Sequence, residues 1–432
     1  NKNRNANFYL NGGYVYDGRY LLDVNLRSDG TSVFGANKRF STTWSVGLAW
    51  NVHREKFMKD KASFINVLKL RGSVGNPGNQ NFSSYSAITT YYFNNWMLNN
   101  FGTGVLVSKF GDPNLAWQRT LDKNIGINLS MFSNRFHVTV DFYHKRTDPL
   151  IADIGIPVSM GVEKRRTNIG VQVDKGVNGT IRYAILYKPQ ESINYTMSVN
   201  FRYGTAFYKN IGRSLNAYNQ ENISKNLTRY YDGGSPTALW AVRSRGIDPA
   251  TGQEIFVKKD GTLTYTFDYK DEVEVGDSRP TLEGVWGNTF YYKGWSASLQ
   301  LRYSFGADVF NSTLFNKVEN ISSRSITTNQ DRRALYNRWK KPGDKAKFKS
   351  ISLTESTPMS SRFVMKENYL SIESVRLGYQ FDSKWLKKAL RISSLNINMY
   401  MNSIARFSTL EDERGLYYPF ARSISFSLGA IL

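Results

Sequence analysis

The segment 124–145, NIGINLSMFSNRFHVTVDFYHK, most tightly limits what this chain can fold into. From Ile125 the apolar residues take every second position (Ile125, Ile127, Leu129, Met131), with Gly126, Asn128 and Ser130 between them. A polar turn at Ser133-Asn134-Arg135 reverses the chain. Phe136, Val138, Val140 and Phe142 then alternate with His137, Thr139, Asp141 and Tyr143. A period of two gives a strand one apolar and one polar face. Each arm has about 10 residues, the length a tilted strand needs to cross a bilayer's hydrocarbon. One hairpin of this kind also suits a soluble sheet, so the argument depends on recurrence.

The pattern recurs along the whole chain. Phe8–Tyr16 reads as a strand closed by the hairpin turn Asp17-Gly18, with Tyr20, Leu22, Val24 and Leu26 sharing one face of the return strand. A loop is expected through Arg27-Ser28-Asp29-Gly30-Thr31, and then Trp44, Val46, Leu48 and Trp50 alternate with small residues. Val67–Val74 is a further, less cleanly patterned strand, followed by a long polar and aromatic segment from Asn76 to Trp117. Beyond the first hairpin, a loop is expected over Thr147–Arg165 and one long strand over Thr167–Tyr187. The next strand sets Ile193, Tyr195, Met197, Val199 and Phe201 on one face. An irregular stretch reaches Pro280, where a hairpin turned at Lys293-Gly294 begins. After a second long loop ending near Met365, Leu370 and Ile372 fall out of phase with Val375, Leu377 and Tyr379, which predicts a β-bulge near Glu373-Ser374. Leu395–Met401 and Ser423–Leu432 complete a set of about 13 strands.

Short turns alternate with loops of tens of residues, as in a transmembrane β-barrel with short periplasmic turns and long extracellular loops. The polar face is built of Ser, Asn, Gly and Thr, as a wetted inner wall requires. Tyr14, Tyr16, Tyr20, Trp44, Trp50, Tyr291, Tyr292 and Trp295 cluster at strand ends, where interfacial girdles lie. The fold class is therefore all-β, an antiparallel transmembrane barrel. No apolar run is long enough for a membrane helix, but barrel strands need only one apolar face. An odd number of antiparallel strands cannot close a barrel, so 1–432 is expected to be the C-terminal portion of a larger one. The missing strands are expected on the N-terminal side.

The formal charge is +22 over 432 residues, which favours polyanionic surroundings: nucleic acid, lipopolysaccharide phosphate or acidic lipid. It is spread over loops and strand ends, and its densest run, Asp331–Lys349, reads as a solvated loop. With no cysteine, disulfides and thiolate metal sites are excluded. No signal peptide is visible.

Several stretches resemble the SusC/RagA family of TonB-dependent outer-membrane transporters. They are Tyr16-Asp17-Gly18-Arg19-Tyr20-Leu21-Leu22, Arg27–Gly35, Leu68–Gln80 (LKLRGSVGNPGNQ), Pro113–Gln118 (PNLAWQ), Asn168-Ile169-Gly170 with Asp174-Lys175-Gly176, Asp248–Gly252 and Arg338-Trp339. Gln118 and Asp174 stand where the family pattern has Glu and Asn. The resemblance implies a 22-stranded barrel filled by an N-terminal plug, a TonB-contacting segment and a SusD-like surface lipoprotein as lid. Of these parts the sequence holds only barrel.

Enzymatic chemistry finds little support. His137 and Asp141 share a strand face, but four residues of strand separate them by about 13 Å, too far for a base and its orienter. No His/Asp/Glu cluster has metal spacing, so neither metal nor cofactor is expected. Asp248-Pro-Ala-Thr-Gly reads as a turn rather than a Ca²⁺ loop. Arg27, Asp29, Asn76, Asn79 and Trp117 fall at or near outer strand ends and are the candidate solute-path residues. The function expected is TonB-dependent import of an oligosaccharide or peptide across the bacterial outer membrane, with outer-membrane lipid and lipopolysaccharide as surroundings. The alternatives are a scaffolding subunit of an outer-membrane assembly, and a soluble basic protein binding nucleic acid; the barrel pattern disfavours nucleic acid.

Overall fold

The computed structural model describes residues 4–31, 40–59, 64–77, 88–99, 102–112, 114–156, 158–162, 164–323, 325–327, 330–410 and 422–431. In chain order its strands begin with β1 (Asn5–Tyr16), β2 (Tyr20–Thr31), β3 (Phe40–Asn51), β4 (Ile65–Asn76), β5 (Thr90–Asn99), β6 (Gly102–Lys109) and β7 (Thr120–Met131). The series continues with β8 (Phe136–Thr147), β9 (Leu150–Gly155), β10 (Lys164–Ile169), β11 (Val171–Lys188), β12 (Ile193–Lys209), β13 (Ala238–Ile247) and β14 (Glu254–Val257). It ends with β15 (Leu263–Thr264), β16 (Glu272–Asp277), β17 (Leu282–Tyr292), β18 (Trp295–Phe310), β19 (Val364–Phe381), β20 (Ser394–Ser408) and β21 (Ile424–Ile431). Three short α-helices, α1 (Lys56–Lys59), α2 (Asn216–Glu221) and α3 (Lys384–Leu390), lie in connections. The sheet order is β1-β2-β3-β4-β7-β8-β11-β12-β17-β18-β19-β20-β21, thirteen strands ordered as they are in the chain. No helix among the described residues is long and apolar enough to cross a membrane.

Two compact units divide the chain: 1–220 with 230–235 and 285–295, and 221–229 with 236–284 and 296–432. In the first, antiparallel register aligns the apolar positions across strands. Leu22 faces Leu48, Leu48 faces Gly72, Gly72 faces Ile125, Ile125 faces Phe142 and Phe142 faces Val177. A second row joins Leu68, Leu129, Val138, Ile181 and Val199. This face is exposed rather than packed, with Ile125 68% accessible. A contiguous apolar sheet face of that size is not left to water; it is the face a bilayer covers. The turns that join its strands have the predicted chemistry, with Asp17 and Gly18 both at positive φ (48° and 63°), and Phe132, Ser133 and Asn134 likewise.

At the end of the sheet carrying these short turns, Tyr16 stacks on Tyr20 and Tyr20 on Trp50. Trp50 Nε1 and Tyr20 OH donate to Glu55 at 3.0 and 2.8 Å and, with Arg19, hold its carboxyl below the usual carboxylate range. One carboxylate thus binds the β1–β2 turn to the β3–β4 connection.

The second unit carries β19, β20 and β21 in register, Leu377 facing Met399 and Met399 facing Phe426. The bulge predicted near Glu373-Ser374 is present as a register shift between Ile372 and Ser374.

Several expected loops are structured. The 76–117 segment contains the β5–β6 hairpin, Thr147–Arg165 contains β9 and the start of its partner β10, and the stretch before Pro280 holds a separate four-stranded sheet, β15-β14-β13-β16. β10 and β14 are short and lack clean alternation (KRRTNI, EIFV), because they pair within loops and owe no face to lipid. The single strand expected over Thr167–Tyr187 is two, broken at Gly170 with φ 62°. Arg27–Thr31, expected as a loop, is the end of β2, paired to residues 5–9 of β1.

Candidate solute-facing wall

The polar face of the first unit follows from the same register, one residue out of phase. Asn25, Ser45, Gly75, Asp122, Lys145 and Asp174 are successive partners, as are Arg71, Gly126, Asp141 and Asn178. Arg71 Nη2 donates to Asp141 Oδ2 at 2.6 Å and its Nε to Asn128 at 3.3 Å, while Lys145 pairs with Asp122 at 3.4 Å. Glycine makes room for these bonds. A Cβ on Gly126 would stand 2.5 Å from Asp141 Oδ1, and one on Gly204 would stand 2.5 Å from the Tyr143 hydroxyl. The result is a wall in which charges of both signs are paired between strands. Asp141, set aside above as a partner for His137, is engaged by Arg71 instead. Around this pair, Asn124, Asn178 and Arg202 help to line an open depression of about 560 Å³. Sequence reading missed it because its members come from five strands.

The candidate solute-path residues divide. Arg27 Nε donates to Asp29 at 2.7 Å, and Asp29 is only 2% exposed. Arg27 and Asn76 line one pocket of about 370 Å³ together with Asn25, Thr43 and Ser45. Among the described residues the buried Oδ1 of Asn76 accepts no hydrogen bond, which leaves it an acceptor for an incoming donor. Trp117 is elsewhere and 3% exposed, beside the equally buried Leu115. Asn79 lies outside the described residues.

The segment carrying Trp117 is fixed by a motif distant in sequence. Asn168 accepts from Ala116 N at 2.7 Å and donates to Ala116 O at 3.0 Å. Asp112 accepts from Asn114 N, Thr167 and Arg165 at 3.0, 3.1 and 3.0 Å. Burial works to raise the Asp112 carboxyl, but these donors together hold it below the usual carboxylate range. Two of the motif stretches noted above, at 114–118 and 168–170, therefore meet in space. Next to them Tyr208, Tyr218 and Tyr230 pack edge to face or tilted (centroids 5.7 and 5.4 Å) on a pocket of about 400 Å³ that Gln118, Asp153 and Gln172 also line. Burial, then the neighbouring Tyr218, raises the Tyr230 phenol.

The model for "TonB dependent receptor-like, beta-barrel" matches residues 1–398. The chain belongs to the TonB-dependent receptor β-barrel family. It is 27% identical over 454 residues to TonB-dependent receptor P39 of Formosa agariphila, covering 94% of this chain and 43% of that protein. It is 24% identical over 449 residues to TonB-dependent receptor SusC of Bacteroides thetaiotaomicron, covering 96% of this chain and 42% of that one. The solved RagAB peptide transporter superposes with a TM-score of 0.82 at 20% identity, over 94% of this chain and 44% of that chain. The chain thus spans less than half the length of the relatives it matches. The SusC/RagA resemblance stands, and so does the bacterial outer membrane as the site of this receptor barrel. The family is one of receptors and transporters, not of enzymes.

In the second unit the polar chemistry is concentrated in the connections. Arg362 Nη2 donates to Glu319 at 2.6 Å and Glu254 at 3.0 Å, and Nη1 to Lys347 O at 2.7 Å. Ser360 donates to Glu254 at 2.5 Å and Thr357 to Glu319 at 3.1 Å. Burial lowers the Arg362 pKa, but the two carboxylates outweigh it and the guanidinium is held above its ordinary value. Asp248 accepts from Ala250 N, Thr251 and Tyr265, which completes the turn read from the sequence.

Proposed function

We propose that the receptor imports an oligosaccharide or peptide across the outer membrane, driven through TonB, with this chain as the C-terminal portion of the SusC-like barrel under a SusD-like lipoprotein lid. The observation that carries the reading is the division of the sheet between an exposed apolar face and a polar wall in which glycines make room for paired charges. A solute path needs the second, and a scaffold does not. Arg27, with Asp29 beneath it, and Asn76 are proposed to hold the solute at the outer strand ends by charge-assisted and neutral hydrogen bonds. Asn79 is proposed to act with Asn76. Trp117 is proposed to act from below, by keeping the 114–118 segment in place. The names of the relatives, receptors and a peptide transporter, support the class of activity. No bond is made or broken in it.

The test is co-purification and energised uptake. The full-length receptor extracted from outer membrane should bring a surface lipoprotein with it. Cells should accumulate a labelled oligopeptide or oligosaccharide, and lose that uptake when the TonB complex is deleted or Arg27→Ala and Asn76→Ala are combined. A receptor that accumulates neither solute class in a TonB-dependent way refutes import.

A further inference from the structure

Helix α3 joins β19 to β20, whose paired ends are Phe381 and Leu395, and Ser394 pairs with Ile431 at the end of β21. It is the short connection of this unit. The long connections, 311–363 and 409–423, leave from the opposite strand ends. In an outer-membrane barrel the short connections face the periplasm.

α3 is built unlike a turn. Its sequence from Ser383 is SKWLKKALR, with Ser383 accepting from Trp385 N at 3.2 Å. Leu386 is buried. Lys384, Lys387 and Lys388, spaced i, i+3 and i+4, share one exposed face. Trp385 sits beside that face with 66% of its surface accessible. Among the described residues none of Lys384, Lys387, Lys388 and Arg391 is in an ion pair. Among the described residues, the neighbouring Asp382 accepts from Gln380. The exposed apolar face of the strands (Leu377, Phe381, Ile397, Leu428) runs up to the helix.

The geometry points to α3 as a binding surface for the anionic headgroups of the periplasmic phospholipid leaflet. Trp385 lies at the level where amphipathic rings prefer the headgroup boundary. Four cations without an ion pair among the described residues stand at the edge of a face already committed to lipid, so a phosphate there meets charge without displacing a described carboxylate. A solvated turn needs neither an exposed Trp nor a helix held in place to present three lysines together.

Native mass spectrometry of the full-length receptor, extracted from phosphatidylethanolamine vesicles containing roughly one quarter phosphatidylglycerol, provides the test. Each lysine close to an anionic surface contributes about fivefold in binding, so the Lys384→Gln/Lys387→Gln/Lys388→Gln variant should retain at least tenfold less phosphatidylglycerol. The matched Lys340→Gln/Lys341→Gln/Lys345→Gln variant, in the 311–363 connection, should retain as much as the native protein. Raising ionic strength should strip the native protein of phosphatidylglycerol but not of phosphatidylethanolamine. Equal retention by native and triple-variant proteins overturns the inference. So does retention that salt leaves unchanged, which needs no variant and therefore holds even if the triple variant fails to fold.

Discussion

Replacing Arg362 by Met leaves Glu254 and Glu319 facing each other's environment with no cation between them. Glu319 has no exposed side-chain surface and Glu254 has 2%. Each keeps one hydroxyl donor, Thr357 or Ser360, which is far less than a carboxylate needs when water is excluded. Breaking a buried pair costs about 3–5 kcal/mol. The two carboxylates share a single cation, so their penalties are not additive and that figure applies once to the cluster. It multiplies the population of the locally opened 311–363 connection by roughly two to nearly four powers of ten. Proteolysis of the detergent-solubilised receptor reads that population directly when closing is fast. Arg362→Met should be cut within this connection at rates raised by at least a hundredfold, while the strands stay protected. Arg362→Lys keeps the charge but loses the fork and should fall between. Restoring neutrality with Glu254→Gln and Glu319→Gln in the Met background should recover part of the loss. Native-like cutting of Arg362→Met would show that the cluster does not hold the connection shut.

Gly126→Ala should drive a methyl into the Arg71–Asp141 pair and cost about 1–3 kcal/mol, read as an earlier thermal transition with heat-modifiable gel mobility retained below it. Asn168→Ala should leave the Ala116 amide and carbonyl without their partner and cost about 1–3 kcal/mol, read as faster amide exchange over 114–118. The Asp112 carboxyl is held below its ordinary value, so its contribution is complete above the unfolded pKa of about 3.9. That contribution is lost as pH falls through the folded value. Asp112→Asn should therefore loosen 110–118 at neutral pH and flatten the acid dependence of its exchange.

The alternation in 124–145 made the long strands legible, since a lipid-facing strand must show its period in the residue types themselves. Even the bulge at Ile372/Ser374 could be located from a phase slip. The loop strands could not. β10 and β14 pair with other strands inside the connections, and no clean alternation in KRRTNI or EIFV marks that. The site was legible in part for the same reason. Arg27 and Asn76 were singled out and prove to share a pocket, but Arg71, Asp141 and Asn178 look ordinary until register sets them side by side. Trp117 was singled out by its place near a strand end, but it is 3% exposed in the segment that Asn168 grips at Ala116.

The four-stranded sheet β15-β14-β13-β16 has a consequence for how such a protein changes over time. With its own hydrogen-bond ladder and the Arg362 cluster beside it, this part makes most of its polar bonds within the connections, the bond from Asp277 N to Asp308 of β18 being one that reaches a long strand. Substitutions there are judged by a local set of neighbours, while every substitution in a long strand is judged by lipid on one side and solute on the other. Descendants of this sequence are thus free to try new surfaces on that sheet at a pace the strands could not tolerate.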